Sequence, residues 1–183
     1  MGEQRDAEWY DEAIRSSKSY HLQSEEAPWY KLWSRACKDI KEGDIVIDIG
    51  CGPGQTAELI QNRFEDVGYI GIDFSKYAIS QAKLKCPNYH FRCTDILTVN
   101  YEECEGDVFL ACEVLEHIDD DLLLLERIPS GKKIVITLPT FDDPGHVRYF
   151  TNVQDIVMRY YNHITFKKVE PIGGHFYILG ETK

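Results

Sequence analysis

The sequence predicts an α/β fold: a single, mostly parallel sheet of seven strands with helices on both faces and an antiparallel hairpin at the C-terminus. The length of 183 residues fits one domain. A hydrophobic content of 43% and an aromatic content of 12% are enough to build a buried core. From residue 44 onward, apolar runs of strand length alternate with segments of helical periodicity, which is typical of a parallel sheet covered on both faces.

Short apolar runs bounded by turn residues predict the seven strands. They are expected at residues 45–49, 69–73, 89–93, 107–113, 132–139, 164–170 and 175–181. The last two are joined through Pro171, Ile172, Gly173 and Gly174, which favour the turn of a hairpin. Helical spacing of apolar residues predicts the helices between the strands at residues 56–64, 75–85, 119–127 and 152–161.

Two further helices are predicted before the first strand, at residues 6–18 and 28–41. No linker rich in Ser, Gly or Pro separates them from the rest of the chain. We therefore predict that residues 1–42 form a short helical cap, or lid, that belongs to the same domain as residues 43–183.

The charge balance restricts the classes of partner. With 20 Lys and Arg against 31 Asp and Glu, the formal net charge is −11, so nucleic acid is not expected to bind and a small molecule is the expected partner. No apolar run approaches the about 20 residues that a membrane helix needs, so no membrane association is expected. Six cysteines without a C-x-x-C pair and a polar N-terminus indicate reduced thiols and a cytoplasmic location.

A glycine-rich loop, Gly50-Cys51-Gly52-Pro53-Gly54, follows the first predicted strand and precedes a helix. Glycines allow a sharp turn and a close approach to a ligand, and the helix N-terminus adds unpaired N–H groups. Asp73 ends the second strand, 19 residues beyond Gly54, where a carboxylate can accept both hydroxyls of an adenosine ribose. Gln55 stands where a dinucleotide fingerprint needs a small residue, so a nucleoside site other than that of an NAD-dependent oxidoreductase is favoured.

Five strings carry a resemblance that spans nearly the whole chain. They are VIDIGCGPG at residues 46–54, GIDFS at 71–75, TDIL at 94–97, ACEVLEHI at 111–118 and SGKKIVITLP at 130–139. Together they resemble the successive motifs of the class I, Rossmann-like methyltransferases that use S-adenosylmethionine (SAM) and act on small molecules. One departure is that the usual L-x-P-G-G before the fifth strand is replaced here by residues 128–131, Ile-Pro-Ser-Gly.

The resemblance implies SAM as the methyl donor and S-adenosyl-L-homocysteine (SAH) as the product. It also implies a set of cofactor-binding residues within the five strings. The methionine portion is assigned to Asp48, Gly50, Cys51, Gly52 and Gly54. The ribose is assigned to Asp73 with Phe74, and the adenine to Asp95 and Ile96. Glu113 is expected to lie beside the cofactor. Because the sulfonium of SAM is positively charged, an acidic and aromatic site suits it better than it would suit a pyrophosphate.

The predicted catalytic residues are two histidines. His117 lies with Glu113 and Glu116 at spacing i, i+3 and i+4, so in a helical turn all three would share one face just beyond the fourth strand. An imidazole titrates near neutrality, and His117 is therefore predicted to be the general base, with His146 after the fifth strand as the alternative.

Substrate contacts are predicted from the cap and from the loops after the fourth and fifth strands. The candidates are Tyr20, His21, Glu116, Arg148 and Tyr149. Arg148 could bind a carboxylate or phosphate of the substrate. The structural alternative for Arg148 is a packed loop in which it pairs with Asp142 or Asp143.

A metal site is the less favoured interpretation of the same cluster. Glu113, Glu116, His117 and His146 could ligate Mg²⁺, Mn²⁺ or Zn²⁺. The E-x-x-E-H arrangement resembles that of metal-assisted methyltransferases, which include the small-RNA 3′-end 2′-O-methyltransferases and the ubiquinone-pathway O-methyltransferases. The same string also occurs in relatives without a metal role, and we therefore expect no metal.

The function expected from the sequence is transfer of a methyl group from SAM to a small hydroxylated acceptor, with oxygen as the nucleophile. One alternative is a metal-assisted RNA 2′-O-methyltransferase, which the net charge of −11 disfavours. Another is a catalytically silent protein of the SAM fold that acts as a partner or regulator. The retained glycine loop and Asp73 disfavour that alternative.

Overall fold

Seven strands form one sheet in the computed structural model, which describes residues 2–183. The strands are β1 (Ile45–Ile49), β2 (Gly68–Asp73), β3 (His90–Cys93), β4 (Val108–Cys112), β5 (Lys133–Pro139), β6 (Ile164–Ile172) and β7 (His175–Thr182). Their order is β3-β2-β1-β4-β5-β7-β6; β1 to β5 are parallel, and β7 runs antiparallel between β5 and β6. The predicted fold class is thereby confirmed, including the C-terminal hairpin.

Six helices accompany the sheet. They are α1 (Ala7–Ser16), α2 (Tyr30–Ala36), α3 (Gln55–Arg63), α4 (Lys76–Lys85), α5 (Asp121–Glu126) and α6 (Val153–Tyr160). Short side chains that accept a hydrogen bond from the first turn begin three of them: Asp6 caps α1, Ser75 caps α4 and Asn152 caps α6. The helix predicted at 28–41 is wrong in extent, because the chain tightens into a 3₁₀ turn at Cys37–Asp39 and then becomes extended.

The sheet buries both of its faces. Ile47 of β1 packs in a cluster with Leu124 of α5 and Ile156 of α6, whereas its neighbour Val46 packs on the opposite face with Ala57 of α3. Alternate residues of one strand thus enter two different cores, which is why the central strands β1, β4 and β5 are largely apolar. The faces are closed, and the edge at the C-terminal ends of the parallel strands is where loops can form a site.

No helix within residues 2–183 combines the length and the apolar character that crossing a membrane requires.

The glycine loop is held in place by close packing as well as by its backbone angles. Gly54 has a φ of 80° and immediately precedes α3. A Cβ atom at this position would lie 2.9 Å from the Cα of Ala82 in α4. The loop therefore needs glycine here both for the left-handed conformation and for the contact between α3 and α4.

We predict that Gly54→Ala destabilises the protein more than Gly43→Ala. Both glycines are left-handed, with φ values of 80° and 85°, but a Cβ at Gly43 would meet no atom within 4 Å. The left-handed backbone costs about 1–2 kcal/mol for either alanine, and overlap with Ala82 adds about 1–3 kcal/mol for Gly54 only. Urea unfolding of the two variants measures the difference. Equal losses of unfolding free energy would contradict the packing role.

Candidate active site

A cavity of about 320 Å³ opens at the C-terminal ends of β1 and β4. Its volume lies within the range of about 300–1,000 Å³ that small-molecule sites occupy. Nine of the ten residues predicted to bind the cofactor line it, namely Asp48, Gly50, Cys51, Gly52, Asp73, Phe74, Asp95, Ile96 and Glu113. Gly54 is the exception, since it faces α4.

Asp73 connects the end of β2 to the glycine loop. Its Oδ2 accepts a hydrogen bond from the Gly52 N–H at 2.9 Å, and its Oδ1 accepts one from the Ser75 N–H at 2.8 Å. Burial raises the pKa of Asp73 to about 6, although these backbone hydrogen bonds favour the charged form. The carboxylate therefore fixes the loop while it lines the cavity.

Asp48 is a second buried carboxyl group, at the end of β1. It is 2% exposed and accepts a short hydrogen bond from the hydroxyl of Tyr69. Burial raises the pKa of Asp48 to about 7, and the hydrogen bond from Tyr69 offsets part of this effect. The cavity wall thus holds a carboxyl group whose pKa lies close to neutral pH.

Gln55 attaches the cap to the glycine loop. Its Nε2 donates hydrogen bonds to the carbonyl oxygens of Ser19 and Leu22, each at 3.0 Å. Tyr20, between these two residues, lines the cavity and stacks on Trp29 with ring centroids 5.6 Å apart. The residue that departs from the dinucleotide fingerprint therefore has a structural role between α3 and the cap.

The turn after β4 differs from the predicted helical turn. Glu113 has a φ of 58°, in the left-handed region, and only Leu115–His117 forms a 3₁₀ turn. Because this backbone reversal rotates the side chain of Glu113 away, the expectation that it shares one face with Glu116 and His117 is wrong. Its carboxylate instead contacts Thr137 Oγ1 at 2.9 Å and His175 Nε2 at 3.0 Å.

Glu116, His117 and His146 do come together. One ligating atom from each side chain lies within 4.8 Å of the others, and the two imidazole rings are 4.8 Å apart between centroids. His117 Nδ1 is 2.9 Å from the Gly145 carbonyl oxygen, and His146 Nδ1 is 3.2 Å from the Phe141 carbonyl oxygen. Each Nδ1 therefore carries the hydrogen in a neutral ring, which leaves the Nε2 lone pair free.

The charge state of this cluster follows from its burial. Glu116 is 0% exposed, and neither of its carboxylate oxygens has a hydrogen-bond partner among the described residues. Burial and the nearby Glu113 raise the pKa of Glu116 well above its usual value. Burial also lowers the pKa of His117, and the neighbouring His146 adds to this effect, so His117 is neutral at physiological pH.

Three of the predicted substrate residues lie away from the cavity. His21 is exposed and contacts the Arg15 carbonyl oxygen at 3.1 Å, and Tyr149 is 38% exposed on the surface. Arg148 packs inside the protein and pairs with the buried Asp121 at 3.3 Å. Its guanidinium also donates hydrogen bonds to the carbonyl oxygens of Leu115, Ile118 and Asp119, so it holds the turn that carries His117.

Glu116 lies next to His117 but does not line the cavity, whereas Tyr20 does. Several other residues that line it were not predicted from the sequence, among them Tyr10, Trp29, Phe141 and Asp143. Tyr10 is the one that the sequence indicates most clearly, because it is a polar aromatic residue in a predicted cap helix and the cap was expected to cover the ligand site. Its ring contacts that of His117 edge-on at 5.7 Å between centroids.

Comparisons with known proteins agree with this geometry. A family model described as a methyltransferase domain matches residues 46–128, from β1 to just beyond α5. Over 105 residues the chain is 33% identical to the trans-aconitate 2-methyltransferase of Sinorhizobium medicae. That alignment covers 55% of this chain and 40% of the relative, so the chain spans about two fifths of the length of that relative.

Two solved structures share the fold over nearly the whole chain. One is the Haloferax volcanii protein solved in complex with the Trm112 methyltransferase activator, with a TM-score of 0.78, 13% identity, and coverage of 94% of this chain and 96% of that chain. The other is the N-methyltransferase NodS of Bradyrhizobium japonicum in complex with SAH, with a TM-score of 0.70, 16% identity, and coverage of 97% and 99%. At these identities the likeness concerns the fold alone.

Residues 46–128 thus match a methyltransferase domain, and residues 2–183 adopt the fold of the two structures compared above. Both findings agree with the resemblance of the motifs to those of the class I, Rossmann-like methyltransferases. Two of the relatives found by sequence carry the name trans-aconitate 2-methyltransferase.

We predict that the unfolding free energy of the ligand-free protein falls as the pH rises from about 4 to about 7, and that Asp48→Asn reduces this slope. The pKa of Asp48 is about 7 in the folded state, above the ordinary value near 3.9, so the folded protein keeps a proton that the unfolded chain has lost. Urea unfolding across this pH range measures the slope. The exposed residue Asp66, changed to Asn, is the control, and an unchanged slope in Asp48→Asn contradicts the assignment.

Proposed function

We propose that this protein binds SAM in the cavity and transfers its methyl group to a small hydroxylated acceptor, with SAH as the product. The observation that carries the proposal is the hydrogen bond from Gly52 to Asp73, which joins the glycine loop and the acid after β2 at the cavity wall. At Gly52, no atom lies within 4 Å of where a Cβ would stand, so the loop backbone is open to a ligand. The methyltransferase domain match over residues 46–128 supports the same conclusion.

The residues around the cavity divide the work of binding in this proposal. Asp73 accepts the ribose hydroxyls, Asp95 and Ile96 contact the adenine, and the residues at the end of β1 surround the methionine portion. When bound, SAM supplies a methyl group on a sulfonium, which an acceptor oxygen attacks in line. Positioning is the main contribution of the protein, since such a displacement needs little covalent assistance.

His117 is proposed to remove the acceptor proton. Its Nε2 is free because Nδ1 is held by the Gly145 carbonyl, and it faces the cavity as a neutral imidazole. The proton passes to Nε2, which lies 3.8 Å from Oε1 of the buried Glu116. His146 Nε2 is the alternative acceptor for this proton. Arg148 positions the turn that carries His117 through its hydrogen bonds to the main chain of that turn.

The charge of the cavity supports a hydroxylated acceptor over a polycarboxylate. The relatives compared above are named for trans-aconitate, an acceptor whose nucleophilic oxygens are carboxylates. Among the described residues that line this cavity, Arg5 is the only Lys or Arg. Its guanidinium already contacts Glu3 at 2.7 Å and lies over the ring of Trp9. A trianionic acceptor would therefore bring negative charges into the cavity without a free basic side chain to pair with them. A small-molecule acceptor with hydroxyl groups brings no such charges.

Residues 1–42 are proposed to act as a lid over the bound cofactor, with Tyr10 and Tyr20 facing it. The cap is attached at several points, which include Gln55 to Ser19 and the Ser24 N–H to Glu58 Oε2 at 2.6 Å. The cytoplasm is the location proposed for such an activity.

Calorimetry with SAM, SAH and NAD tests the cofactor. We expect SAM and SAH to bind and NAD not to bind. At about 100 times its dissociation constant, SAH should add about 2.7 kcal/mol to the unfolding free energy. Asp73→Ala should abolish this gain because the ribose partner is lost. No binding of SAM or SAH to the wild-type protein would contradict the proposal and favour a catalytically silent partner protein.

Release of SAH tests the catalytic residue, with a panel of hydroxylated small molecules and trans-aconitate as acceptors. For the best acceptor, His117→Ala should lower kcat by about 10²–10⁴-fold, as expected for loss of a general base, with the Kd of SAM nearly unchanged. His163→Ala is the control, because His163 immediately precedes β6, does not line the cavity and pairs with Glu126. Full turnover in His117→Ala would remove this residue from the mechanism.

A metal-assisted methyltransferase is the second candidate, and the cluster of Glu116, His117 and His146 favours it. Two free Nε2 atoms and a buried carboxylate without hydrogen-bond partners are suitable ligands for Mn²⁺ or Zn²⁺. Glu113 does not fit a four-residue ligand set, because Thr137 and His175 hold its carboxylate. A bound metal would act as a Lewis acid on the acceptor oxygen. An RNA acceptor is disfavoured by the net charge of −11.

Metal titration after treatment with EDTA tests this second candidate. If it is correct, Mn²⁺ or Zn²⁺ raises the melting temperature of the wild-type protein. Glu116→Gln and His146→Ala should each abolish this increase, whereas Glu113→Gln should leave it intact because Glu113 lies outside the three-residue set. No response of the wild-type protein to either metal excludes the second candidate and leaves His117 as a general base.

A further inference from the structure

Glu113 occupies an unfavourable backbone conformation at the cavity wall. Its φ of 58° lies in the left-handed region, which costs a residue with a Cβ about 1–2 kcal/mol. Such residues persist where their surroundings determine them, and here two strands do so. The Glu113 N–H donates to Thr137 Oγ1 at 3.0 Å, and Thr137 Oγ1 donates to Glu113 Oε1 at 2.9 Å. The remaining carboxylate oxygen, Oε2, faces His175 Nε2 at 3.0 Å.

His175 reaches this carboxylate from the C-terminal hairpin. It is the first residue of β7, it pairs with Pro139 of β5 and Ile172 of β6, and it follows the turn at Gly173 and Gly174. Its side chain is 12% exposed, and the ring of Phe141 packs edge-on against it at 5.4 Å between centroids. No functional role was predicted for His175, since it flanks a hairpin 62 positions away from Glu113.

Both ring nitrogens of His175 face oxygen atoms that have no hydrogen to donate. Nδ1 is 3.3 Å from the Gly173 carbonyl oxygen, and Nε2 is 3.0 Å from the Glu113 carboxylate in an ion-pair contact that is not aligned as a hydrogen bond. A neutral imidazole would leave one nitrogen lone pair pointing at an oxygen, so this geometry fits the doubly protonated imidazolium. Burial alone would lower the pKa of His175, but the Glu113 carboxylate, with help from the Gly173 carbonyl, raises it above its usual value.

We propose that His175, as an imidazolium, is a positioning residue of the cofactor cavity that holds the Glu113 carboxylate in the cavity wall. The inference rests on the proposed function in one respect, namely that the cavity binds SAM and SAH. When His175 loses one proton, the neutral ring no longer offers a positive charge to the Glu113 carboxylate, and Thr137 becomes the main partner that holds this side chain. Cofactor affinity then falls as the pH rises.

The groups packed against His175 identify Glu113 as the source of this pH dependence. Phe141 from the loop after β5 and Gly173 from the hairpin turn are uncharged, and Glu113 from the turn after β4 provides the charge at hydrogen-bond distance. Glu113 in turn contributes to the raised pKa of Glu116, although burial is the larger cause. The pair adds its full stability below the ordinary pKa of about 6.5 and loses it as the pH rises through the higher pKa of the folded state.

Calorimetry with SAH at a series of pH values tests the proposal, because SAH withstands alkaline pH and carries no sulfonium. For the wild-type protein we expect Kd to rise by about threefold to tenfold across the titration of His175, since one unit of pKa corresponds to a tenfold change. His175→Gln keeps a hydrogen-bond donor but cannot titrate, so its Kd should lose this rise. His175→Ala should bind SAH weakly at every pH.

His163→Gln is the matched control, because His163 pairs with Glu126 at 3.1 Å and is 14% exposed, close to the 12% of His175. It should keep the wild-type pH profile. NMR titration of the ring of His175 in the ligand-free protein gives a second measurement. We expect a pKa above the ordinary value that decreases in Glu113→Gln, and this measurement applies even if the alanine variant does not fold.

The possible outcomes separate this proposal from the proposed function. If SAH does not bind the wild-type protein at any pH, the proposed function fails, while the NMR titration still reports on the pair of His175 and Glu113. If SAH binds and His175→Gln keeps the wild-type pH dependence, the positioning role of His175 is overturned. A pKa of His175 at or below its ordinary value overturns it as well.

Discussion

The reversal of strand order between β1 and β4 is the constraint on which the rest of the structure depends. The two strands are parallel neighbours, yet the chain leaves β1 toward β2 and leaves β4 toward β5. The loops that follow them must diverge, and a crevice opens between them because both faces of the sheet are already covered. The glycine loop forms one wall of this crevice and the turn with Glu113 forms the other.

Carboxyl groups, rather than basic residues, dominate the crevice. Asp48 and Asp73 are buried where water cannot fully solvate a charge, so each binds its proton more tightly than an exposed aspartate does. Hydrogen bonds from Tyr69 and from backbone N–H groups offset part of this cost. A ligand with hydroxyl groups and positive charge satisfies such a site, and this agrees with a nucleoside that carries a sulfonium.

The sequence allowed the strands and the glycine loop to be predicted because their signals are local. A strand buried on both faces is apolar along its length, and a tight loop under a helix needs glycine. Glu113, Arg148 and His175 illustrate what local patterns do not contain. The left-handed backbone of Glu113 depends on partners in β5 and β7, and Arg148 was expected at the substrate but is bound to the buried Asp121. Such roles arise only when segments distant in sequence meet.

The attachment of the cap has a consequence for how this protein can change during evolution. Around Tyr20, the cap atoms that hydrogen-bond to the domain are main-chain atoms: the carbonyl oxygens of Ser19 and Leu22, and the Ser24 N–H. Main-chain groups are the same in every amino acid, so substitutions in the cap leave these attachments in place. The side chains that face the cavity, such as Tyr20, are therefore free to diversify, and a lineage could acquire a new acceptor without rebuilding the scaffold.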